Sequence, residues 1–272
     1  MDPTMTSLPP LTGADAWNES GNLLLGVAPN VLVWPASMIG SLAIGLVDAR
    51  WVRKMTIAIV IVLVIFMFYF FRNPAIDRSD YGRLGQYDMV APSCGMVLAI
   101  NQVPMDQVEA DYGPLVSFQQ ASNGTGLRPV LDKAAWRVCI GLSLLDKHYQ
   151  CMPFDAAIQS INYKQGTFAP ALLLEKSEMN ERAIIQLVPP KQPDGSPAPV
   201  ASCYMVLLAG MIARTITTFA NCEPGASLSR GAKIGMIQFG SRVDVIIPFE
   251  YNIRVVVGQQ VEVGQTVLAT LS

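Results

Sequence analysis

Two places in the chain hold residues whose types could do chemistry. Gly240-Ser241 sits in "QFGSRVDVIIP" (238–248), just ahead of a strand-like apolar run, and His148 is the sole histidine. A Gly-Ser bond cuts itself when three conditions meet. The hydroxyl lies against the preceding carbonyl carbon, a base takes its proton, and the amide is strained or polarised. Glycine helps because it has no Cβ to block attack and tolerates strained φ/ψ. An N-to-O acyl shift gives an ester. Loss of the serine α-proton and departure of the glycine carboxylate leave dehydroalanine, and hydrolysis leaves an N-terminal pyruvoyl group. That ketone forms a Schiff base with an amine and draws electrons from the adjoining carbon, as pyridoxal phosphate does. Decarboxylation of an amino acid through its α-amine is the reaction that suits it. Any step needing an imidazole falls to His148. The plain alternatives are an ordinary turn at Gly240-Ser241 and a surface or satisfied strand histidine at 148.

These residues need elements to position them. The chain has 272 residues, enough for one sizeable domain or two small ones. It is 51% hydrophobic and only 15% charged, which suggests membrane contact. A net charge of −2 gives no pull toward nucleic acid. The five cysteines are scattered with no Cys-x-x-Cys, so free thiols and no metal site are expected. The run Met55–Phe71 is uncharged, with Arg53 and Lys54 before it and Arg72 after. It is slightly short for a hydrocarbon core of roughly 30 Å, a gap that flanking Lys and Arg can bridge. A second apolar run, Val31–Val47, is weakened by Pro35 and Gly40, and Trp51 between the runs is placed like an interface anchor. The pair forms a hairpin through the bilayer or lies partly in one leaflet. The alternative is a buried core helix of a soluble protein.

After Arg72 the character changes. Short β-branched runs are separated by Gly, Pro, Asn and Asp, which predicts a mainly β body. A repeat at an offset of 33 pairs Gly225 with Gly258, Leu228 with Val261, Gly231 with Gly264 and Ile234 with Val267. Lipoyl- and biotinyl-type barrel-sandwich domains use this turn-strand-turn-strand pattern. They hold their cofactor on a lysine at a hairpin tip. Lys233 lies inside the motif instead, so the architecture is expected without the carrier role.

"IGMIQFGSRVDVIIP" closely resembles the processing-site strand of the phosphatidylserine decarboxylase family, in its short form with a Phe-Gly-Ser-Arg site. Four further blocks are similar in the family's order: "FFRNP" (70–74), "LDKHYQCMP" (145–153), "KSEMNERAIIQL" (176–187) and "AGMIARTITTF" (209–219). The resemblance covers roughly Pro29 to Leu271. It implies cleavage at the Gly240 carbonyl, giving a β fragment 1–240 and an α fragment 241–272, with Ser241 becoming the pyruvoyl cofactor that forms the Schiff base. It implies that His148 assists processing and protonates the carbanion left by carbon dioxide, and that Asp146 orients the imidazole or helps processing; a turn-forming role is the alternative for Asp146. The implied substrate is phosphatidylserine, the product phosphatidylethanolamine. The implied location is the bacterial inner membrane, catalytic domain on the cytoplasmic face, with a homodimer left open. The implied organisation is a polar tail (1–22), a membrane-associated helical anchor (23–74) and a mainly β, barrel-sandwich-like decarboxylase domain (75–272).

The match has departures. Cys94 in "APSCG" stands where the family has an aspartate thought to support cleavage, and an unperturbed thiol is mostly neutral at pH 7. Cys151 replaces a residue that is usually polar, and Ala156 a common glycine. Two other readings stay open: an uncleaved, inactive membrane scaffold or lipid-binding protein of the same fold, and a decarboxylase of an archaeal-type ether analogue of phosphatidylserine.

Overall fold

The computed structural model describes residues 5–7, 50–112, 134–196, 198–211, 216–238 and 241–271. The upstream run Val31–Val47 and Gly240 lie outside them.

Helix α1 spans Arg50–Phe70, 21 residues. At about 1.5 Å per residue it is about 31 Å long, which meets the hydrocarbon thickness that Met55–Phe71 alone falls short of. Ile57, Ile59, Ile61, Val62, Leu63 and Ile65 are exposed, and Phe70 is the one buried residue of the helix. A helix apolar on every side suits lipid, not water. Its length and composition are those of a membrane span. The helix ends at the pair Phe70-Phe71. Arg72 Nη1 donates to the Tyr69 carbonyl at 2.7 Å, and its guanidinium lies 3.8 Å from the Tyr69 ring centroid. A cation there satisfies the helix's last carbonyls.

The rest is antiparallel β structure, as the short β-branched runs predict. In chain order the strands are β1 (Met5–Ser7), β2 (Met89–Val90), β3 (Gly95–Val103), β4 (Ala135–Gly141) and β5 (Tyr149–Cys151). Then come β6 (Ala156–Lys164), β7 (Arg182–Val188), β8 (Cys203–Leu208), β9 (Ile216–Thr218) and β10 (Ser227–Leu228). The last are β11 (Lys233–Ile237), β12 (Arg242–Ile247), β13 (Tyr251–Ile253), β14 (Gln260–Val261) and β15 (Val267–Leu271). Among the described residues two short α-helices, α2 (Met105–Tyr112) and α3 (Leu174–Ser177), interrupt them, and a 3-10 helix (Ser79–Arg83) precedes β2.

The main sheet runs β1-β6-β7-β8-β12-β4-β3-β14, with β10 also on β6. Two three-stranded sheets, β5-β11-β9 and β13-β15-β2, complete the body. Strand β12 lies between β8 and β4, and all six of its residues are buried. Val243, Val245 and Ile247 join the main core. Ile246 joins a second core with Tyr204, Val206, Leu208 and the α2 residues Val108 and Tyr112. Strand alternation puts Arg242 and Asp244 on that second face.

The internal repeat is visible in the backbone. Gly225, Gly231, Gly258 and Gly264 all have positive φ, between 68° and 92°. Gly231 and Gly264 also lack space. A Cβ on Gly264 would come within 2.6 Å of Ile76 Cγ2, and one on Gly231 within 2.6 Å of Tyr81 Oη and 3.3 Å of Ile76 Cγ2. Ile76 is thus lodged between two equivalent turns. Lys233 donates to Asn73 Oδ1 and lies 5.9 Å from the Tyr149 ring centroid, so it is engaged within the body and not presented at a hairpin tip.

Candidate active site

Ser241 immediately precedes β12 and is fully buried. Its carbonyl accepts from the Leu142 amide at 2.9 Å, while its Oγ has no hydrogen-bond partner among the described residues. His148 stands just before β5. Its carbonyl accepts from the Ile237 amide at 3.2 Å, at the end of β11. Ser241 follows Ile237 by four residues, which span at most about 14 Å when extended. Sheet pairing thus places the histidine segment at the end of β11, four residues ahead of Ser241 in the chain.

The imidazole is fully buried against the end of α1: its ring centroid is 4.0 Å from that of Phe70. Nδ1 lies 2.8 Å from the Asp146 carbonyl. A carbonyl only accepts, so Nδ1 holds the proton and Nε2 a free lone pair. Nε2 is buried with no partner among the described residues. Burial pushes the His148 pKa down to about 4; the Asp146 carbonyl and charge resist this, and Arg72 adds to it. At neutral pH the ring is an uncharged base.

The Asp146 carboxylate faces away from this bond. Oδ2 accepts from the Ser143 amide and hydroxyl, both at 2.7 Å, and Oδ1 from Gln260 Nε2 at 3.0 Å. The side chain closes the 143–146 turn, and the backbone carbonyl orients the histidine. Arg72 Nη2 donates to the Leu145 carbonyl at 2.7 Å, joining the same turn to the end of α1.

Behind Ser241 lies a charge network that sequence reading did not find. Arg242 is completely buried; Nη1 donates to Ser177 Oγ at 2.6 Å and Nη2 to Asp244 Oδ2 at 3.0 Å. Its Nε is 2.8 Å from Asp244 Oδ1, close but not aligned as a hydrogen bond. Arg137 Nη2 reaches both Asp244 Oδ2 at 2.6 Å and Glu178 Oε1 at 2.7 Å, and Glu178 is also 3.3 Å from Arg242. Ser177 and Glu178 belong to the "SEMNER" block, whose Asn180 fixes Ala169 and Ala209. Two charges within an otherwise apolar strand, Arg242 and Asp244, were the signal available. Removing one member of a buried ion network strands the others and costs about 3–5 kcal/mol. Asp244→Ala is expected to lose stability in that range, read from the denaturation midpoint in detergent; a loss under about 1 kcal/mol would show that Glu178 and Ser177 suffice for both arginines.

The five cysteines are buried and unpaired, as their scatter predicts. Cys94 Sγ donates to Glu262 Oε2 at 2.8 Å and accepts from the Val263 amide at 3.4 Å. Burial and the Glu262 contact push its pKa up to about 12, so the thiol is neutral. Cys151 packs beside it with Val263 and Ile76. No cluster suited to a metal ion occurs among the described residues.

A mainly β body, an apolar helix ahead of it, and a buried serine hydroxyl and imidazole nitrogen, neither with a hydrogen-bond partner among the described residues, mark this as the candidate site. The family model for phosphatidylserine decarboxylase matches residues 63–269. The chain is 32% identical over 238 residues to the phosphatidylserine decarboxylase proenzyme of Granulibacter bethesdensis, covering 86% of this chain and 82% of that one. It is 32% identical over 234 residues to the proenzyme of the same name from Mycolicibacterium vanbaalenii, covering 85% and 84%. A putative archaetidylserine decarboxylase proenzyme of Methanosarcina acetivorans is 37% identical over 142 residues, covering 52% and 62%. The chain belongs to the phosphatidylserine decarboxylase family, a family of carboxy-lyases.

Proposed function

We propose that this chain is a membrane-anchored, pyruvoyl-dependent decarboxylase that converts phosphatidylserine to phosphatidylethanolamine after cutting itself at Gly240-Ser241. One observation supports this most directly. Ser241 Oγ and His148 Nε2 are both buried, and neither has a hydrogen-bond partner among the described residues. Orphaned buried polar atoms are costly, and a nucleophile and a base left so in neighbouring segments suit chemistry. The "proenzyme" names of the relatives support the same reading.

In processing, neutral His148 Nε2 takes the Ser241 hydroxyl proton. Oγ attacks the Gly240 carbonyl, the C–N bond breaks as the ester C–O bond forms, and the proton passes to the freed amine. Removal of the Ser241 α-proton then expels the Gly240 carboxylate, and hydrolysis releases ammonia. The residues fit the pyruvoyl group because it is made from Ser241 itself, at the head of a strand fixed on both sides. When formed, it supplies a ketone and an electron sink for loss of carbon dioxide from the serine headgroup. His148 Nε2 would take up the proton that the headgroup ammonium sheds on binding and return it to the substrate carbon; a ring of such low pKa gives that proton up readily. Asp146 acts through its carbonyl, holding Nδ1. The network around Arg242 fixes the strand on which Ser241 stands.

We assign 1–22 to a polar tail, 23–74 to the anchor and 75–272 to the catalytic domain, at the bacterial inner membrane with that domain on the cytoplasmic side. The anchor suits a substrate that stays in the bilayer. The serine headgroup is the chemistry shared with the archaeal relative, whose name differs in the lipid. Intact-mass measurement of the purified protein tests the reading. The expected result is a light fragment of residues 241–272 whose first residue has lost the elements of ammonia. A single uncut chain from folded, membrane-extracted protein overturns it and favours a non-catalytic lipid-binding protein.

A further inference from the structure

The segment downstream of the cut holds the histidine segment at several points. The Ser241 carbonyl binds Leu142, Gln260 Nε2 binds the Asp146 carboxylate, and Glu262 binds Lys147 Nζ at 3.2 and 3.3 Å. His148 is therefore preceded by two residues whose side chains are gripped by 241–272. Glu262 is shared: of the two oxygens that face Lys147, Oε2 also accepts from the buried thiol of Cys94.

We propose that Glu262 is a positioning residue for His148, supplying the single carboxylate that the Cys94–Lys147 site requires. This rests on the reading of Gly240-Ser241 as a self-cleaving bond. The geometry asks for one negative charge at this point and no more. A neutral thiol points at the carboxylate from one side and an ammonium from the other. With the carboxylate removed, Lys147 keeps its charge next to His148 and has no anion to hold it, and the 145–148 segment loses one of its ties. With a second carboxylate at position 94, two like charges face each other at hydrogen-bond distance, and one must take a proton or swing away. Because the same oxygen serves both Cys94 and Lys147, a carboxylate at position 94 lies within reach of the same ammonium. The charge therefore works from the other side of the pair. After the cut, Glu262 travels with the new terminus, so the fragment bearing the former Ser241 keeps its own hold on the histidine segment.

The test is a charge exchange, read in self-cleavage rate and in kcat and KM of the mature protein in lipid nanodiscs. Glu262→Gln and Cys94→Asp are each expected to slow cleavage and lower kcat on the order of 10- to 100-fold, the cost of displacing a reacting group by a fraction of an ångström to an ångström. KM is expected to stay near the parent value. The double variant Cys94→Asp with Glu262→Gln is expected to recover most of the loss. A role in packing alone makes the double variant at least as slow as the slower single one, and that result overturns the proposal, as does a Glu262→Gln protein that cleaves and turns over like the parent. Those outcomes leave the processing reading intact, because the parent still cuts. A parent chain that stays whole overturns the processing reading, and the role of Glu262 falls with it.

Discussion

Ser241→Ala is expected to give one uncut chain, no reactive ketone and no release of carbon dioxide from phosphatidylserine, with the fold intact. The expected loss is complete because the proposed processing makes this residue both the nucleophile of the cut and the source of the electron sink. The effect separates cleanly from folding. Ser241 Oγ makes no hydrogen bond among the described residues, and a buried hydroxyl left unpaired costs about 1–3 kcal/mol. Alanine removes that cost, so the variant is expected to unfold at or above the temperature of an uncut parent. Denaturing electrophoresis, reaction of the carbonyl with a hydrazide probe and a melting curve check the three parts. Cleavage at the same position in the alanine variant would point to an outside protease and end the autocatalytic reading.

Replacement of His148 has the second largest expected effect. His148→Gln keeps a polar side chain of similar reach and removes the base. General-base assistance is worth about 10²- to 10⁴-fold, and cleavage is expected to slow by that much. The pH dependence carries a sign. The His148 pKa falls from 6.5 in the open chain to about 4 in the fold. Between these values the unfolded chain binds the extra proton and the folded one does not. Stability therefore falls as pH drops through 6.5 and levels off near 4, by about 3 kcal/mol. Cleavage of the parent is expected to hold steady down to about pH 5 and to fail toward 4 as Nε2 takes a proton. In His148→Gln that part of the stability slope disappears, which melting curves between pH 4 and 7 measure. A variant with the parent's slope would place the titration elsewhere. Phe70 is part of the cause, because its ring closes one face of the imidazole.

The comparison of sequence and structure turns on distance along the chain. The apolar helix, the β body and the family blocks were legible because each signal is local: a run, a period, a set of adjacent residues. The glycine repeat was legible for the same reason, and four positive φ values match it. The Arg137–Asp244 contact joins residues 107 apart and the Cys94–Glu262 contact residues 168 apart. Only the pairing of β12 with β4, and of β14 with β3, brings these together. A local pattern contains no term for that register. Asp146 shows a subtler limit. Its sequence neighbourhood pointed to the imidazole, and the contact is made by its carbonyl, an atom every residue has. Phe70 read as the end of a membrane run, and its placement on His148 depends on how the helix end docks.

The central place of β12 has a consequence for the life history of the molecule. The 241–272 segment contributes β12 and β14 to the main sheet and β13 and β15 to a smaller one. A cut just before β12 leaves the core standing, since strand pairing and packing hold both products, but it changes what unfolding means. The precursor refolds as one chain in a unimolecular reaction. The mature pair, once unfolded, has to find itself again by collision at a rate set by concentration, with a central strand to insert in the correct register. On the proposed processing, the serine that makes the cut is consumed by it, and the original chain cannot be restored. A protein processed in this way folds once, and its endurance is governed by how slowly it opens and not by an equilibrium it can revisit.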